Sequence, residues 1–170
     1  MDLQEYIRTV EDFPKPGISF KDISPLVSSP KALKEVVNQL KEKIDFSQVD
    51  KIAGFDARGF LFGPLLSVEL GIPFVMIRKK GKLPGNCVGI SYDLEYGSAE
   101  IEIQEDAINK GEKVVLIDDL LATGGTAKAG CDLVEKLGGE VKALAFIIEL
   151  EFLEGKKLFD NYQVESLLKY

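Results

Sequence analysis

Residues Lys113 to Gly130 read KVVLIDDLLATGGTAKAG, and this stretch decides how the chain folds. An apolar run leads into two aspartates, Asp118 and Asp119, and a small glycine-rich loop follows two leucines. A short continuous apolar run is typical of a strand that is buried on both faces of a parallel sheet. We therefore predict a buried strand that ends in paired carboxylates, then a loop, then a helix from Thr126 to Leu137.

The segments around this stretch repeat the alternation of strand and helix. KIAGF, PFVMIR and VKALAFIIEL each read as a buried strand, and CVGISYDL and SAEIEI read as a hairpin. Helical periodicity follows Ser29 and Pro30, which suit a cap and a first helical position. A short helix is predicted from Leu3 to Thr9, and FLFGPLLSVEL reads as a helix buried on most sides. The pattern predicts an α/β fold with a central, mainly parallel sheet flanked by helices.

Composition and charge exclude several classes of function. The chain has 170 residues, enough for one domain, and its net charge of −7 argues against nucleic-acid binding, because a phosphate backbone requires a basic surface. There is no histidine, which excludes Ser-His-Asp catalysis and histidine-ligated metals. MDLQEYIRTV lacks the apolar core of a signal peptide, and no apolar run is long enough to span a membrane. We therefore predict a cytoplasmic protein without nucleic-acid or membrane partners.

The loop ATGGT has the features of a phosphate site. Gly124 and Gly125 let the backbone approach a ligand, the following helix offers unpaired N–H groups, and neighbouring threonines add hydroxyls. A lone TGGT is more often a plain strand-to-helix turn. The preceding aspartates favour a ribose phosphate, because its hydroxyls suit the acids and its phosphate suits the amides. GFDARGF has P-loop spacing without the lysine, and no GxGxxG follows a strand, so the pattern fits neither an ordinary NTPase nor a dehydrogenase.

VVLIDDLLATGGT resembles the phosphoribosyl-pyrophosphate-binding signature of the type I phosphoribosyltransferases. FPKPGISFKDISPL, DARGFLFG, RKKGKLPG and LEYG resemble, in the same order, segments of the family members that act on adenine. The resemblance implies the type I phosphoribosyltransferase fold in a single domain over residues 1–170, with a small N-terminal hood (about 1–28) and a flexible lid hairpin (about 79–103). It implies transfer of the phosphoribosyl group from phosphoribosyl pyrophosphate to adenine in purine salvage, which gives AMP and pyrophosphate. It also implies Mg²⁺ as cofactor and a homodimer.

The resemblance assigns roles to the residues that match the family motifs. The phosphoribosyl group contacts two acids and the loop after them: Asp118, Asp119, Ala122, Thr123, Gly124, Gly125 and Thr126. The pyrophosphate contacts two other loops: Asp56, Ala57, Arg58, Arg78, Lys79 and Lys82. A non-proline cis bond is implied between Asp56 and Ala57. The Mg²⁺ ion is held mainly by the substrate, without a direct protein ligand, and reaches Asp118 or Asp119 through water.

The resemblance assigns adenine binding and the catalytic step to the two remaining motifs, FPKPGISFKDISPL and LEYG. The resemblance implies that Phe20 stacks on the base, while backbone groups of Ser19 and Lys21 read its edge. Glu95 is implied as the catalytic acid, which protonates an imidazole nitrogen of the base or hydrogen-bonds to it. Tyr96 is implied to pack over the sugar.

Two alternative functions remain open on the sequence. The first is the same reaction on another purine base. The second is a non-catalytic sensor of phosphoribosyl pyrophosphate, although such sensors usually carry a DNA-binding domain for which the chain has no spare length. From the residues alone, Phe20 fits simple core packing equally well, and Glu95 fits an ordinary surface position.

Overall fold

The structure is a computed structural model that describes residues 1–93 and 97–170. Its strands, in chain order, are β1 (Arg8–Val10), β2 (Phe20–Asp22), β3 (Lys51–Phe55), β4 (Phe74–Lys79), β5 (Cys87–Asp93), β6 (Ser98–Gln104), β7 (Lys113–Leu121), β8 (Glu140–Glu149) and β9 (Gln163–Lys169). Its α-helices are α1 (Ser24–Val27), α2 (Pro30–Lys43), α3 (Gly63–Leu70) and α4 (Gly125–Lys136). Short 3-10 turns cover Gln4–Tyr6, Arg58–Leu61, Glu151–Leu153 and Gly155–Phe159.

A seven-stranded sheet forms the centre of the described chain, in the order β5-β6-β4-β3-β7-β8-β9. The strands β4, β3, β7, β8 and β9 are parallel to one another. At one edge, β6 pairs antiparallel with β4, and β5 and β6 form an antiparallel hairpin. The predicted α/β fold with a mainly parallel sheet is confirmed, and the stretch with the two aspartates is a central strand of that sheet.

Apolar side chains pack on both faces of the sheet. On one face, Val134 of α4 packs in the same core cluster as Leu116 of β7. On the other face, Val36 of α2 and Leu66 of α3 pack with Ile117 of β7. Because successive residues of a strand point to opposite faces, β7 needs apolar side chains on both, which explains its continuous apolar run.

The helix ends follow the capping signals in the sequence. Ser29 Oγ accepts a hydrogen bond from the Ala32 N–H at 3.2 Å, and Pro30 occupies the first helical position of α2. After α4, Gly138 adopts a left-handed φ of 87°, which ends the helix and leads into β8. Within the described ranges, no helix is both long enough and apolar enough to cross a membrane.

The prediction of a helix from Leu3 to Thr9 is wrong. The segment forms the 3-10 turn Gln4–Tyr6 and then β1. β1 pairs antiparallel with β2, and Thr9 lies opposite Lys21 in this small separate sheet. A pairing partner that lies elsewhere in the chain outweighs the local helical preference of these residues.

The prediction for FLFGPLLSVEL is wrong in one respect. This segment is helical, but it consists of the end of a 3-10 turn and then α3, and its outer side is exposed. Val68 is 86% exposed, and Leu61 and Leu65 are also exposed. α3 packs one side against the sheet, so an apolar outer side cannot be distinguished from a buried one by composition alone.

Candidate active site

The end of β7 and the loop after it enclose a cavity of about 200 Å³. Its lining consists of Arg58 and the unbroken run from Asp118 to Ala127. The carboxyl ends of the strands are where ligands bind in open parallel α/β sheets. The structure therefore places all the residues predicted to hold the phosphoribosyl group around one cavity.

The backbone of this loop rests on a segment that the sequence did not predict to be part of the site. A Cβ added at Gly155 would lie 2.9 Å from the carbonyl carbon of Thr123 and 3.0 Å from the amide nitrogen of Gly124. Gly124 itself has a φ of 87° and precedes the first turn of α4. Only glycine at position 155 leaves room for this path of the loop. Nothing but the glycine itself marks the position in a weakly patterned part of the sequence.

The two aspartates at the end of β7 do not ionise independently. Burial and the negative charge of Asp119 raise the pKa of Asp118 to about 8. Burial also raises the pKa of Asp119, and the Arg58 guanidinium opposes this effect through an Nε–Oδ2 ion pair of 2.7 Å. The N–H of Asp119 donates to Asp118 Oδ1 at 2.8 Å. The pair therefore suits a ligand that donates hydroxyl hydrogen bonds or brings a cation.

Two of the residues predicted to contact the pyrophosphate form an ion pair: Asp56, just after β3, and Arg78, near the end of β4. Arg78 Nε donates to Asp56 Oδ2 at 2.8 Å. The bond between Asp56 and Ala57 is cis, as the resemblance implied. Arg58 follows directly and lines the first cavity. Two guanidinium groups, whose planar forks match phosphate oxygens, thus lie at the carboxyl ends of neighbouring strands: Arg78 within the end of β4 and Arg58 just after β3.

A second cavity of about 140 Å³ adjoins the first. Arg58, Asp119 and Leu120 line both cavities. All three residues predicted to bind adenine line the second one: Ser19, Phe20 and Lys21. Its other apolar lining residues were not predicted from the sequence: Ile18, Leu120, Ile148 and Leu150. Ile18 and Leu120 lie inside the quoted motifs, and Ile148 and Leu150 end a buried apolar run, so nothing in their local pattern distinguishes a cavity wall from the core.

The side chains of Ser19 and Lys21 are held by partners outside this cavity. Ser19 Oγ donates to Glu11 Oε1 at 3.0 Å. Lys21 Nζ donates to Thr9 Oγ1 at 3.1 Å and lies 4.5 Å from the centre of the Tyr170 ring, a cation–π distance. The Lys21 side chain of β2 is thus held by Thr9 of β1 and by Tyr170, and the Ser19 side chain just before β2 is held by Glu11 just after β1.

Two predicted pyrophosphate residues lie apart from both cavities, and two further predicted residues fall outside the described ranges. Lys79 and Lys82 are exposed and do not line either cavity. The carbonyl of Lys82 accepts a hydrogen bond from Arg78 Nη1 at 3.1 Å. Glu95 and Tyr96 fall within residues 94–96, outside the described part of the chain.

A sequence model of the phosphoribosyl transferase domain matches residues 26–167 of this chain. The chain belongs to the phosphoribosyltransferase family. It is 53% identical over 168 residues to the adenine phosphoribosyltransferase of Methylococcus capsulatus, and the match covers 99% of this chain and 98% of that protein. The predicted family membership is confirmed.

Solved structures of this phosphoribosyltransferase family agree with the fold. The adenine phosphoribosyltransferase of Thermoanaerobacter pseudethanolicus has a TM-score of 0.94 and 46% identity, and the match covers 99% of this chain and 100% of that one. The enzyme of Saccharomyces cerevisiae, in complex with adenine and D-2,5-dideoxy-2,5-imino-altritol 1,6-bisphosphate, has a TM-score of 0.93 and 40% identity, with 98% and 96% covered. The type I phosphoribosyltransferase fold is therefore shown.

The oxygen donors of the first cavity fit a magnesium ion that arrives with a substrate. Mg²⁺ is commonly bound by one or two carboxylates together with substrate phosphates and water. Asp118 and Asp119 supply two carboxylates beside the loop that suits a phosphate. In residues 1–93 and 97–170, no group of three or more Asp, Glu, Cys or His side chains is arranged to hold a metal.

Proposed function

We propose that this phosphoribosyltransferase transfers the phosphoribosyl group of phosphoribosyl pyrophosphate to adenine, giving AMP and pyrophosphate. One observation carries the proposal. A cavity suited to a ribose phosphate and an apolar cavity suited to a flat base meet at Arg58, Asp119 and Leu120. A reaction that joins a base to a sugar requires this adjacency. The similarity to adenine phosphoribosyltransferases supports the choice of adenine.

The first cavity holds the sugar phosphate. Main-chain N–H groups after Thr123, the threonine hydroxyls and the positive end of α4 bind the phosphate. The carboxylates of Asp118 and Asp119 accept hydrogen bonds from the ribose hydroxyls. These hydrogen bonds favour the ionised form, so substrate binding lowers the pKa of Asp118 from its value of about 8.

Arg58 and Arg78 hold the pyrophosphate, which takes the place of Asp119 and Asp56 as their anionic partner. Lys79 and Lys82 add positive charge when the lid closes. The bond from the anomeric carbon to the pyrophosphate oxygen breaks with its electron pair, and an imidazole nitrogen of adenine forms the new bond. Cations placed where negative charge develops stabilise the transition state. Bound Mg²⁺ supplies further neutralisation of the pyrophosphate.

The second cavity holds the base. Phe20 stacks on it, and main-chain groups of Ser19 and Lys21 read its edge. The external partners of the Ser19 and Lys21 side chains support this backbone readout, because they leave the main chain to face the base. Adenine loses its imidazole N–H proton when the new bond forms, and the Glu95 carboxylate accepts this proton; in the reverse reaction Glu95 is the acid that returns it to the ring. Tyr96 packs over the sugar.

The proposal includes a single domain with a hood over about residues 1–28, a lid over about residues 79–103 and a homodimer in the cytoplasm. The exposed apolar side chains of Leu61, Leu65 and Val68 support the dimer, because a contiguous apolar surface commonly marks an interface. A cyclic dimer buries the same patch on both copies. Cell fractionation tests the location.

The decisive experiment measures product formation. Purified protein is incubated with Mg²⁺, phosphoribosyl pyrophosphate and either adenine, hypoxanthine, guanine or xanthine. We expect AMP and pyrophosphate in equal amounts from adenine, and little product from the other bases. A preference for another base would support the first alternative. Tight binding of phosphoribosyl pyrophosphate without any turnover would support a sensor.

A further inference from the structure

A tyrosine outside the predicted site connects the hairpin of β5 and β6 to the loop of residues 122–126, which we call the phosphate loop. The Tyr92 hydroxyl on β5 lies 3.1 Å from Thr126 Oγ1. Thr126 is the second residue of α4 and lines the first cavity. The Tyr92 ring packs against the core cluster, and its Cδ2 atom lies 3.7 Å from where a Cβ at Gly125 would be. A half-buried ring held in this way fixes the position of its hydroxyl.

The hydrogen bond has a preferred direction once a phosphate is bound. A threonine hydroxyl has one proton to donate and two lone pairs with which to accept. A phosphate offers acceptors, so Thr126 must give its proton to the phosphate. Tyr92 then donates to Thr126. Each hydrogen bond in such a chain polarises the next and strengthens it.

Tyr92 also connects the phosphate loop to the end of β5, since it is the second-last residue of that strand. A second contact lies nearer the start of β5, where Lys136 Nζ at the end of α4 donates to the Gly89 carbonyl at 3.2 Å. β5 is thus tied to both ends of α4, and the contact at the end of β5 involves Thr126, a residue of the phosphate site.

We propose that Tyr92 is a positioning residue that orients the Thr126 hydroxyl toward the sugar phosphate and holds the end of β5 against the phosphate loop. The inference rests on the proposed function for its substrate, and it adds a residue that belongs to neither cavity lining. Phosphate binding and the position of β5 are coupled through one hydroxyl pair.

The test compares Tyr92→Phe, which keeps the ring and removes the hydroxyl, with the wild-type protein. We expect a rise of about threefold to tenfold in the KM for phosphoribosyl pyrophosphate and in the Kd for ribose 5-phosphate measured by calorimetry, with the KM for adenine unchanged. Tyr162→Phe is the matched control, because the Tyr162 hydroxyl donates to Glu135 of α4 at 2.6 Å, away from the site. This variant should keep both constants.

A double-mutant cycle distinguishes a shared hydrogen bond from a general loss of structure. In the Thr126→Val background, Tyr92→Phe should change the Kd for ribose 5-phosphate by less than about twofold. The inference would be overturned if the double variant raised the Kd by the full product of the two single-variant factors. An unchanged Kd in Tyr92→Phe alone would also overturn it. Because ribose 5-phosphate binding needs no turnover, the inference survives if AMP formation fails while the Kd still responds to the hydroxyl.

Discussion

At the scale of single residues, the charged side chains of the ligand-free site pair with one another, and one carboxyl group has a raised pKa. Arg58 pairs with Asp119 at 2.7 Å, Arg78 pairs with Asp56 at 2.8 Å, and Asp118 has a pKa raised to about 8. A buried charge without a partner would cost several kcal/mol, of the order of 3–5 when one member of a buried pair is removed. Substrate binding is therefore an exchange of charged partners.

Asp118→Asn should change how stability depends on pH. The folded pKa of Asp118 is about 8 and its ordinary value is 3.8, so the folded protein retains a proton that the unfolded chain releases between these values. The contribution of this group to stability is present at low pH and is lost as pH rises toward about 8. Asp118→Asn has no titrating group at this position and does not lose this contribution. The free energy of unfolding of the variant, relative to that of the wild type, should therefore increase from about pH 5 to about pH 9.

Denaturant unfolding of the ligand-free protein at both pH values measures this effect. Asp106→Asn, at an exposed position, serves as the control and should run parallel to the wild type. The same Asp118→Asn variant should bind phosphoribosyl pyrophosphate more weakly, because it loses an acceptor for a ribose hydroxyl. A constant difference in stability across the pH range would contradict the raised pKa.

Glu95→Gln should lower kcat far more than it changes the affinity for phosphoribosyl pyrophosphate. The amide keeps the shape but cannot transfer a proton, and general acid–base catalysis typically contributes about 10²–10⁴ in rate. Steady-state kinetics give kcat, and calorimetry gives the Kd for phosphoribosyl pyrophosphate. Equal losses in both would argue against a role of Glu95 in proton transfer.

At the scale of elements, the phosphate loop depends on a turn that lies far along the chain. The 3-10 turn Gly155–Phe159 begins directly beneath residues 123 and 124. The Gly124 backbone has the left-handed φ that the loop requires, and the glycine at 155 removes the side chain that would displace it. The signature sequence therefore sets the chemistry of the loop, while a different segment supports its shape.

Gly155→Ala should impair phosphate binding more than folding. The added methyl group would press on the loop backbone, which costs about 1–3 kcal/mol and shifts the amides, so we expect a KM for phosphoribosyl pyrophosphate about tenfold higher. Gly139→Ala is the control, because its added Cβ would also be crowded, but against the side chains of Ile108 and Val134, which line neither cavity. Unchanged kinetics in Gly155→Ala would show that the loop tolerates the displacement.

The ring of Tyr170 contacts a side chain of β2. Lys21 Nζ lies 4.5 Å from the Tyr170 ring centre, so Tyr170→Ala should loosen β2 and raise the KM for adenine by about twofold to fivefold. Tyr170→Phe keeps the aromatic face and should behave as the wild type. Steady-state kinetics with both substrates test this, and an equal rise in the KM for phosphoribosyl pyrophosphate would point to a general defect.

The sequence predicts some elements of this molecule much better than others. β7 and its loop were predictable because a doubly buried strand, paired acids and glycines each leave a local pattern in consecutive residues. β1 was missed because its structure depends on pairing with β2. Gly155, Ile148 and Tyr92 were missed as site components because their roles come from contacts with distant segments, which no local periodicity encodes.

At the scale of the whole molecule, α3 presents an exposed apolar surface on the side that faces away from the sheet. Leu65 and Val68 on α3, with Leu61 before it, are exposed beside a groove of about 480 Å³ between α2 and α3. Single exposed apolar residues are common, but a row of them beside an apolar groove favours contact with another molecule. A second copy of the chain is the occupant that the proposed homodimer requires.

Val68→Glu should weaken self-association by about tenfold or more, because the substitution places a charge on both sides of a symmetric contact. Light scattering across a range of protein concentrations measures the mass. Phe152→Glu is the control, since Phe152 is an apolar residue that is 73% exposed and does not line the groove between α2 and α3. A wild-type protein of monomeric mass, or equal effects of the two variants, would exclude α3 as the interface.

The support that Gly155 gives to the phosphate loop has a consequence for protein synthesis. A ribosome that has translated as far as α4 has already produced both aspartates and the glycine-rich turn, yet the surface beneath that turn has not been made. Domains assemble from the N-terminus as they are translated. Nascent chains of intermediate length therefore carry the complete motif without a finished pocket. We expect the capacity to bind a ribose phosphate to arise only after the turn Gly155–Phe159 has left the exit tunnel.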